Sequence, residues 1–417
     1  MNFTHLHVHS YYSPMRGVSS IEELCEAAQL MGMSRIALTD TNGLYGLIFF
    51  LEIAKEHKLE PIVGAELVTE KHRAVLLVKD SIGYSNLCRL ISERHCNDQF
   101  DPLKSIQQYR DGLIIITDDR PLLRVLKRQA RDDLYVEMSP GYGMHEAYAY
   151  SRESGIPPVA TNRVYFVNPE QYSLHKVLRA VDLNTKLSRL TEKDLCRPHS
   201  SLRSASAMHE QFPHAPHAVE NSERIADECK REWEFSETIF PEFQQLGHQQ
   251  AFDRLKEMTY EGAYWRYGEV TPEIQKRIEY ELSLIGEKKY AHYFLTVYDI
   301  VKQNPRTCGR GSAAASIVSF CLGITHVDPI KYNLFFERFL NHGRTDPPDI
   351  DVDFAWDERD KIFDYVFAKY GTQRAAMVSN HVGFQTRAAV REVAKVYGMP
   401  DGEIQRISKR LARELVP

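Results

Sequence analysis

Short apolar strands alternate with amphipathic helices up to about residue 205. Helical periodicity then dominates to about 290, and residues 308–371 carry closely spaced glycine and aspartate motifs. These three observations predict an α/β protein of two to three parts, with strands and helices alternating first and a mixed α+β segment last. The length of 417 residues agrees, at roughly 150 residues per domain. With 43% hydrophobic and 26% charged residues the composition excludes disorder as the main state.

The elements follow in order. His5-Leu6-His7-Val8-His9 alternates at period two and is expected to be a strand with three imidazoles on one face. Ser19 and Ser20 are candidate caps for a helix with Ile21, Leu24, Ala27, Ala28 and Met31 on one side, ending at Gly32. Strands are predicted at 35–38, 61–63, 74–78, 113–117, 134–138 and 158–160, parallel and covered by helices, in an open sheet or a barrel. Asp40, Glu66 and Asn162 stand at strand ends, where such folds assemble chemistry. Helices are then predicted over 218–229, 251–267, 272–287 and 293–301, with 235–248 as a loop. Basic helices carry Arg387, Arg391, Lys395, Arg406, Lys409, Arg410 and Arg413. The ending at Leu415-Val416-Pro417, without a convincing cap, is expected to be a cut.

Charge and cysteine usage narrow the function. The net charge of −5 excludes a globally basic nucleic-acid coat, so any contact with DNA must use a local basic face. Seven scattered cysteines without a C-x-x-C pair fit a reducing cytosol. No apolar run of about 18 residues appears, so neither export nor a membrane span is expected.

Two constellations carry chemistry. In the first, three histidines in register, with Asp40 and Glu66 at later strand ends, suit a metal cluster better than a merely solvated face. In the second, Gly309-Arg310-Gly311-Ser312 opens a turn into a helix ending near Gly323. Ser312 is its expected cap, and a triphosphate would sit on the helix dipole. The turn fits G-x-G-x-x-A, but Gln303-Asn304-Pro305-Arg306 is no apolar strand, which argues against a dinucleotide fold. No Lys precedes Ser312, so it is not a Walker A loop. Downstream, Pro348-Asp349-Ile350-Asp351-Val352-Asp353-Phe354 alternates acidic and apolar residues, and a buried strand with three carboxylates on one face is expected. Like charges in register are rewarded by divalent cations, and carboxylates holding Mg²⁺ beside a phosphate-gripping turn are the parts of a phosphoryl-transfer site.

His7-Val8-His9-Ser10, Leu38-Thr39-Asp40, Pro61 to Glu66, Gly83 to Leu87 and Val159 to Asn162 resemble the PHP family, metal-dependent phosphoesterases on a distorted β/α barrel, in the version fused to bacterial replicative polymerases. Tyr293-Phe294-Leu295, Gly309 to Ser316, Leu322 to Thr325, Val327-Asp328-Pro329, Phe335 to Asn341 and Pro348 to Phe354 are similar to the palm of C-family DNA polymerases. Glu261-Gly262-Ala263, Arg266-Tyr267-Gly268 and Pro347-Pro348 resemble the damage-tolerant branch. The resemblance implies a PHP barrel over 1–205, a helical connector over 206–290 and the first part of a polymerase beta-like nucleotidyltransferase palm over 291–417. It implies Asp349 and Asp351 as catalytic, Mg²⁺-holding acids, and Arg310, Gly311 and Ser312 as phosphate-binding residues. Asp353 is then an outer-sphere group.

The third catalytic aspartate, the fingers and the clamp-binding region of that family are not found here, so this segment alone is expected to be inactive. The implied partners are primer–template DNA and deoxynucleoside triphosphates, with a proofreading exonuclease and a sliding clamp possible, in a bacterial cytoplasm.

The PHP motifs also depart from the family. Thr41 replaces a His, Arg16 an acid, and Arg163-Val164-Tyr165 stands where Asp-x-His is expected; no His follows the strand at 134–138. The residual site His7, His9, Asp40 and Glu66 is therefore expected to hold no metal or only part of a cluster, with Arg16 and Arg163 pairing with Asp40 and Glu66. Two other functions compete: a metal-dependent phosphoesterase or exonuclease working from the barrel, and a non-catalytic scaffold for replication proteins.

Overall fold

The computed structural model describes residues 2–141, 143–229, 235, 242–344 and 348–414. Pro347, Leu415, Val416 and Pro417, and much of the predicted 235–248 loop, lie outside the described residues. The chain forms two compact units, Met1–Glu234 with Val382–Pro417, and Phe235–His381.

The first unit begins α1 (Ile21–Leu30), β1 (Arg35–Leu38), α2 (Leu47–Glu56), β2 (Glu60–Val68), β3 (Arg73–Val78), α3 (Ser81–Cys96), α4 (Pro102–Gln108), β4 (Leu113–Thr117) and α5 (Arg120–Gln129). It continues with β5 (Leu134–Met138), α6 (Met144–Ser154), β6 (Pro158–Ala160), α7 (Tyr172–Asp182), α8 (Ala205–Gln211) and α9 (Pro216–Glu228). Ser20 caps α1 in a reciprocal box with Glu23. The six strands form one mixed sheet in the order β1-β2-β3-β4-β5-β6. Leu76, Ile115 and Leu134 pack under the helices on one face, and Leu77, Ile114 and Ile116 fill the other.

Two expectations are corrected. β3 runs antiparallel to both β2 and β4, because the link from Val68 to Arg73, whose ends pair directly, is too short for a crossover. The His5–His9 segment is not a regular strand; it is extended and makes one bridge, Val8 to Val164. It still closes the sheet. Ala37 N–H donates to His5 O and Thr39 N–H to Val8 O on the β1 side, while Val164 N–H donates to His7 O and His9 N–H to Val164 O beyond β6. The result is a distorted α/β barrel with antiparallel strands and an irregular seam.

α7 is fastened to this barrel by a buried histidine. His175 Nδ1–H donates to Arg16 O at 2.8 Å, and its Nε2 accepts from Cys196 N–H at 3.0 Å, which fixes a neutral ring. Burial lowers its pKa to about 4. A folded pKa below the unfolded value of about 6.5 means stability is present above pH 6.5 and lost as pH falls toward 4. Wild type should therefore lose about 2 kcal/mol relative to His175→Gln between pH 7 and pH 5. Urea midpoints at the two pH values check this; parallel losses in both proteins would contradict it.

The second unit holds α10 (His248–Tyr267), α11 (Pro272–Glu287), α12 (Ala291–Val301), β7 (Thr307–Arg310), α13 (Ile317–Cys321), β8 (Asp351–Phe354) and α14 (Arg359–Tyr370). Leu255, Ile278, Ile285, Phe294, Ile317 and Phe336 are buried in its core. α10 crosses α13 at Gly262, where an added Cβ would lie 2.1 Å from Cys321 O, so only glycine fits that approach. β7 and β8 pair antiparallel as a two-stranded ribbon. The last helices, α15 (Thr386–Val396) and α16 (Asp401–Glu414), return to the first unit, where α15 packs on α7.

Candidate functional site

In the first unit, His7, His9 and Glu66 offer ligand atoms within 4.8 Å of one another, all buried. The N-terminal segment supplies the histidines and β2 the carboxylate. His5 points elsewhere, with its Nε2 2.8 Å from Arg203 O, so only two of the three imidazoles share the site.

Hydrogen bonds orient the two rings. His7 Nδ1 lies 2.6 Å from Glu137 Oε1, and His9 Nδ1 lies 3.0 Å from Ser13 Oγ. Both Nε2 atoms consequently face each other at 3.1 Å beside Glu66, whose Oε1 is buried without a hydrogen bond. Two imidazole nitrogens and a carboxylate converging on one point need a cation between them. Burial lowers the His7 pKa, but Glu137 and Glu66 outweigh it and raise it. Burial takes His9 down to about 3. Burial raises Glu66, yet His9, His7 and Arg73 together hold it well below the usual carboxylate range. A single divalent ion fits the same three donors, with outer partners of the kind that orient metal-bound histidines.

The expected arginine pairs are corrected. Arg163 pairs with Glu137 at 2.7 Å and Asp118 at 2.6 Å rather than with Glu66 or Asp40. Arg16 forms no ion pair among the described residues. Glu66 instead meets Thr41 Oγ1–H at 3.0 Å and Arg73 at 3.8 Å. Asp40 accepts from Ser10 N–H, Ser10 Oγ–H and Ser13 Oγ–H at 2.7, 2.8 and 2.6 Å, because the turn after His9 folds its donors over the end of β1. Burial lifts Asp40 to about 6 against those bonds. Asp40 therefore acts on His9 through Ser13. Tyr165 stacks on the His9 ring, centroids 4.2 Å apart. Glu137 was not anticipated; its signal is the one charged residue in the wholly buried strand Leu134–Met138.

In the second unit, the turn and the acidic strand lie side by side. In the β7–β8 ribbon Arg310 stands opposite Asp351 and Gly309 opposite Val352. Gly311 has φ +65°, and a Cβ there would sit 3.5 Å from Asp351 Oδ2, so the turn's backbone and the carboxylate share one small space. Asp351 and Asp353 project from one exposed face of β8, and Asp349 is exposed just before it. The acidic strand was expected to be buried; it is not, because β8 has one strand partner and its apolar side, Ile350 and Val352, is only half-buried against the core. Arg310 is engaged with Asp353 at 3.1 Å.

The helix after the turn is corrected too. Residues 311–315 form a 3-10 turn, and α13 has five residues capped by Ser316, not Ser312. Its N-terminus is already filled. Glu281, fully buried, accepts from Ile317 N–H at 3.1 Å, Val318 N–H at 3.2 Å and Ser316 Oγ–H at 2.7 Å, and pairs with Arg277 at 2.7 Å. A phosphate cannot also occupy that end, so any phosphate contact must come from the 309–312 backbone and side chains. Nothing short-range in the sequence marks Glu281, which acts 36 residues away.

Among the described residues no helix is long and apolar enough to cross a membrane. Residues 5–125 match the PHP domain, and residues 253–416 match the bacterial DNA polymerase III alpha NTPase domain. The chain is 33% identical to an error-prone DNA polymerase of Symbiobacterium thermophilum, over 99% of the chain and 42% of that protein. It is 32% identical to the DNA polymerase III subunit alpha of Bacillus subtilis, over 98% and 40% respectively. It is 34% identical to an error-prone DNA polymerase of Mesorhizobium japonicum, over 94% and 38%. The chain thus spans about two fifths of the length of these relatives, and both names occur at near-equal identity. The chain belongs to the bacterial DNA polymerase III alpha family, carrying a PHP domain followed by residues of that family's alpha NTPase domain.

Proposed function

We propose that this chain contributes part of the active site of a template-directed DNA polymerase, in which Asp349 and Asp351 hold Mg²⁺ and the 309–312 turn meets the phosphates of an incoming deoxynucleotide. The observation that carries this reading is the β7–β8 register, which sets Arg310 opposite Asp351 and brings Gly311 against its carboxylate. When bound, divalent ions would activate the primer hydroxyl and neutralise the departing pyrophosphate. The chain's own groups do the rest: Gly311 permits a close backbone approach, Arg310 holds Asp353 aside from Asp351, and Glu281 with Arg277 pins the turn from below. Arg277 adds bonds from its guanidinium to Ala315 O at 3.0 Å and Leu334 O at 2.9 Å. Primer extension by the longer polymerase carrying this segment tests the reading. Loss of extension in Asp349→Asn and Asp351→Asn supports it, and retained extension removes both from the site.

The barrel site is read as degenerate. Three donors accommodate one ion, Arg163 and Tyr165 occupy positions where further ligands would stand, and Glu137 is committed to His7 and Arg163. One equivalent of Zn²⁺ should bind the 417-residue chain, as titrated by calorimetry. Binding should be lost in His9→Ala and kept in His57→Ala, whose ring is half-buried, bonded to Gln29 and no part of this cluster. Two or more tight equivalents, with phosphoesterase turnover, would favour the phosphoesterase reading instead.

A further inference from the structure

Asp349 and Asp351 stand two residues apart, yet only Asp351 belongs to the ribbon. The β7–β8 ladder ends where Arg310 meets Asp351, so the peptide joining Asp349 to Ile350 lies beyond it. A backbone N–H outside a ladder needs another acceptor. Here that acceptor is a side chain: Ile350 N–H donates to Tyr293 Oη at 3.0 Å. Tyr293 is half-buried near the start of α12, and its neighbours Phe294 and Leu295 are buried in the core. Ile350 packs on that core, and Pro348, on the other side of Asp349, is buried. Asp349 therefore projects from a short segment held on both sides.

A second set of bonds ties the same helix to the far end of the acidic strand. Asp299 of α12 is fully buried. It accepts from Tyr365 Oη–H at 2.7 Å, Tyr370 Oη–H at 2.9 Å and Lys369 Nζ–H at 2.5 Å, all on α14, which follows β8. At 1.5 Å per residue, Tyr293 and Asp299 are about 9 Å apart along the helix axis. α12 thus lies as a splint along the acidic strand, and Tyr293 is the end that reaches the carboxylates.

Tyr293 senses both acids. Burial raises its pKa, the Ile350 bond opposes that, and the charges of Asp349 and Asp351 add to the rise. The phenol is therefore neutral near pH 7. A neutral acceptor suits this place, because a carboxylate would add a further negative charge beside two that already repel each other.

We propose that Tyr293 is a positioning residue for the two metal-holding acids: by accepting the Ile350 N–H it fixes the chain between Asp349 and Asp351, so that both carboxylates face one divalent-ion site. It acts through the backbone and not on the substrate. The inference rests on the polymerase reading and adds a residue to it.

The test pairs Tyr293→Phe, which removes the acceptor and keeps the ring, with Tyr298→Phe on the same helix. Tyr298 is also half-buried, and its hydroxyl has no hydrogen bond among the described residues. In the 417-residue chain, amide hydrogen exchange at Ile350 should be on the order of tenfold faster in Tyr293→Phe, the worth of one hydrogen bond. In the longer polymerase, single-turnover extension at saturating nucleotide should fall on the order of tenfold in Tyr293→Phe. The Mg²⁺ concentration giving half the maximal rate should rise several-fold, while the apparent affinity for deoxynucleotide stays within about twofold of wild type. Tyr298→Phe should match wild type in every measurement. Unchanged exchange at Ile350 would overturn the proposal. So would slower extension with a wild-type Mg²⁺ dependence, which is what a general loosening of the fold would give. Wild-type extension by Tyr293→Phe, alongside inactive Asp349→Asn and Asp351→Asn, would overturn it and leave the polymerase reading standing. Extension by those two aspartate variants would instead remove that reading, and this inference with it.

Discussion

Glu137→Ala is expected to destabilise the first unit by about 3 to 5 kcal/mol, the range for removing one member of a buried ion pair. Glu137 is buried near the C-terminal end of β5, with one carboxylate oxygen on His7 and the other on Arg163. Removing it takes away the acid that does most to raise the His7 pKa, and leaves the buried Arg163 guanidinium with Asp118 as its remaining ion-pair partner. Its own pKa shows the same coupling: burial raises it, but Arg163 and His7 hold it well below the usual range. Replacing both partners with apolar groups removes the stranded charge, so Glu137→Ala combined with Arg163→Met should recover a substantial part of the loss. Urea unfolding of the single and double variants is the measurement. Additive losses would show that the two side chains do not act as a unit.

Asp351→Asn is expected to reduce primer extension by the longer polymerase by several orders of magnitude while leaving the unfolding midpoint of this segment within about 0.5 kcal/mol of wild type. The two halves of that expectation have separate causes. Asp351 is exposed on a two-stranded ribbon, where it holds no part of the core together. Asn keeps its size and one acceptor oxygen but removes the charge on which a divalent ion depends. A carboxylate with no structural duty, set against a left-handed glycine, is costly to keep beside Asp349 and Asp353 unless a cation draws them together.

Much of the fold could be read from local pattern. The apolar runs at 35–38, 74–78, 113–117, 134–138 and 158–160 are strands because each is apolar and bounded by polar turns. The helix over 272–287 begins and ends as its Pro272 and periodicity predict. The reversal of β3 is not legible in the apolar runs, because strand direction depends on the length of one link, not on the strands. Burial of the acidic strand was wrongly expected because alternation reveals which face is polar but not how many strands cover the other. Charge partners were the least legible. Arg163 was expected to meet Glu66 or Asp40 because all were known site positions, yet it reaches Glu137, which local pattern showed only as a lone acid inside an apolar strand. Glu281 was invisible for the same reason: a buried carboxylate is placed by the groups that converge on it, here Ile317, Val318, Ser316 and Arg277.

The assignment of the acids is tested most directly by comparing single-turnover extension rates of Asp349→Asn, Asp351→Asn and Asp353→Asn in the longer polymerase. Asp353 is paired with Arg310 at 3.1 Å, and the proposal assigns the metal to Asp349 and Asp351. Losses of several orders of magnitude at Asp349 and Asp351, with at most about a tenfold loss at Asp353, are predicted. A full loss at Asp353 with activity retained at Asp351 would contradict the account.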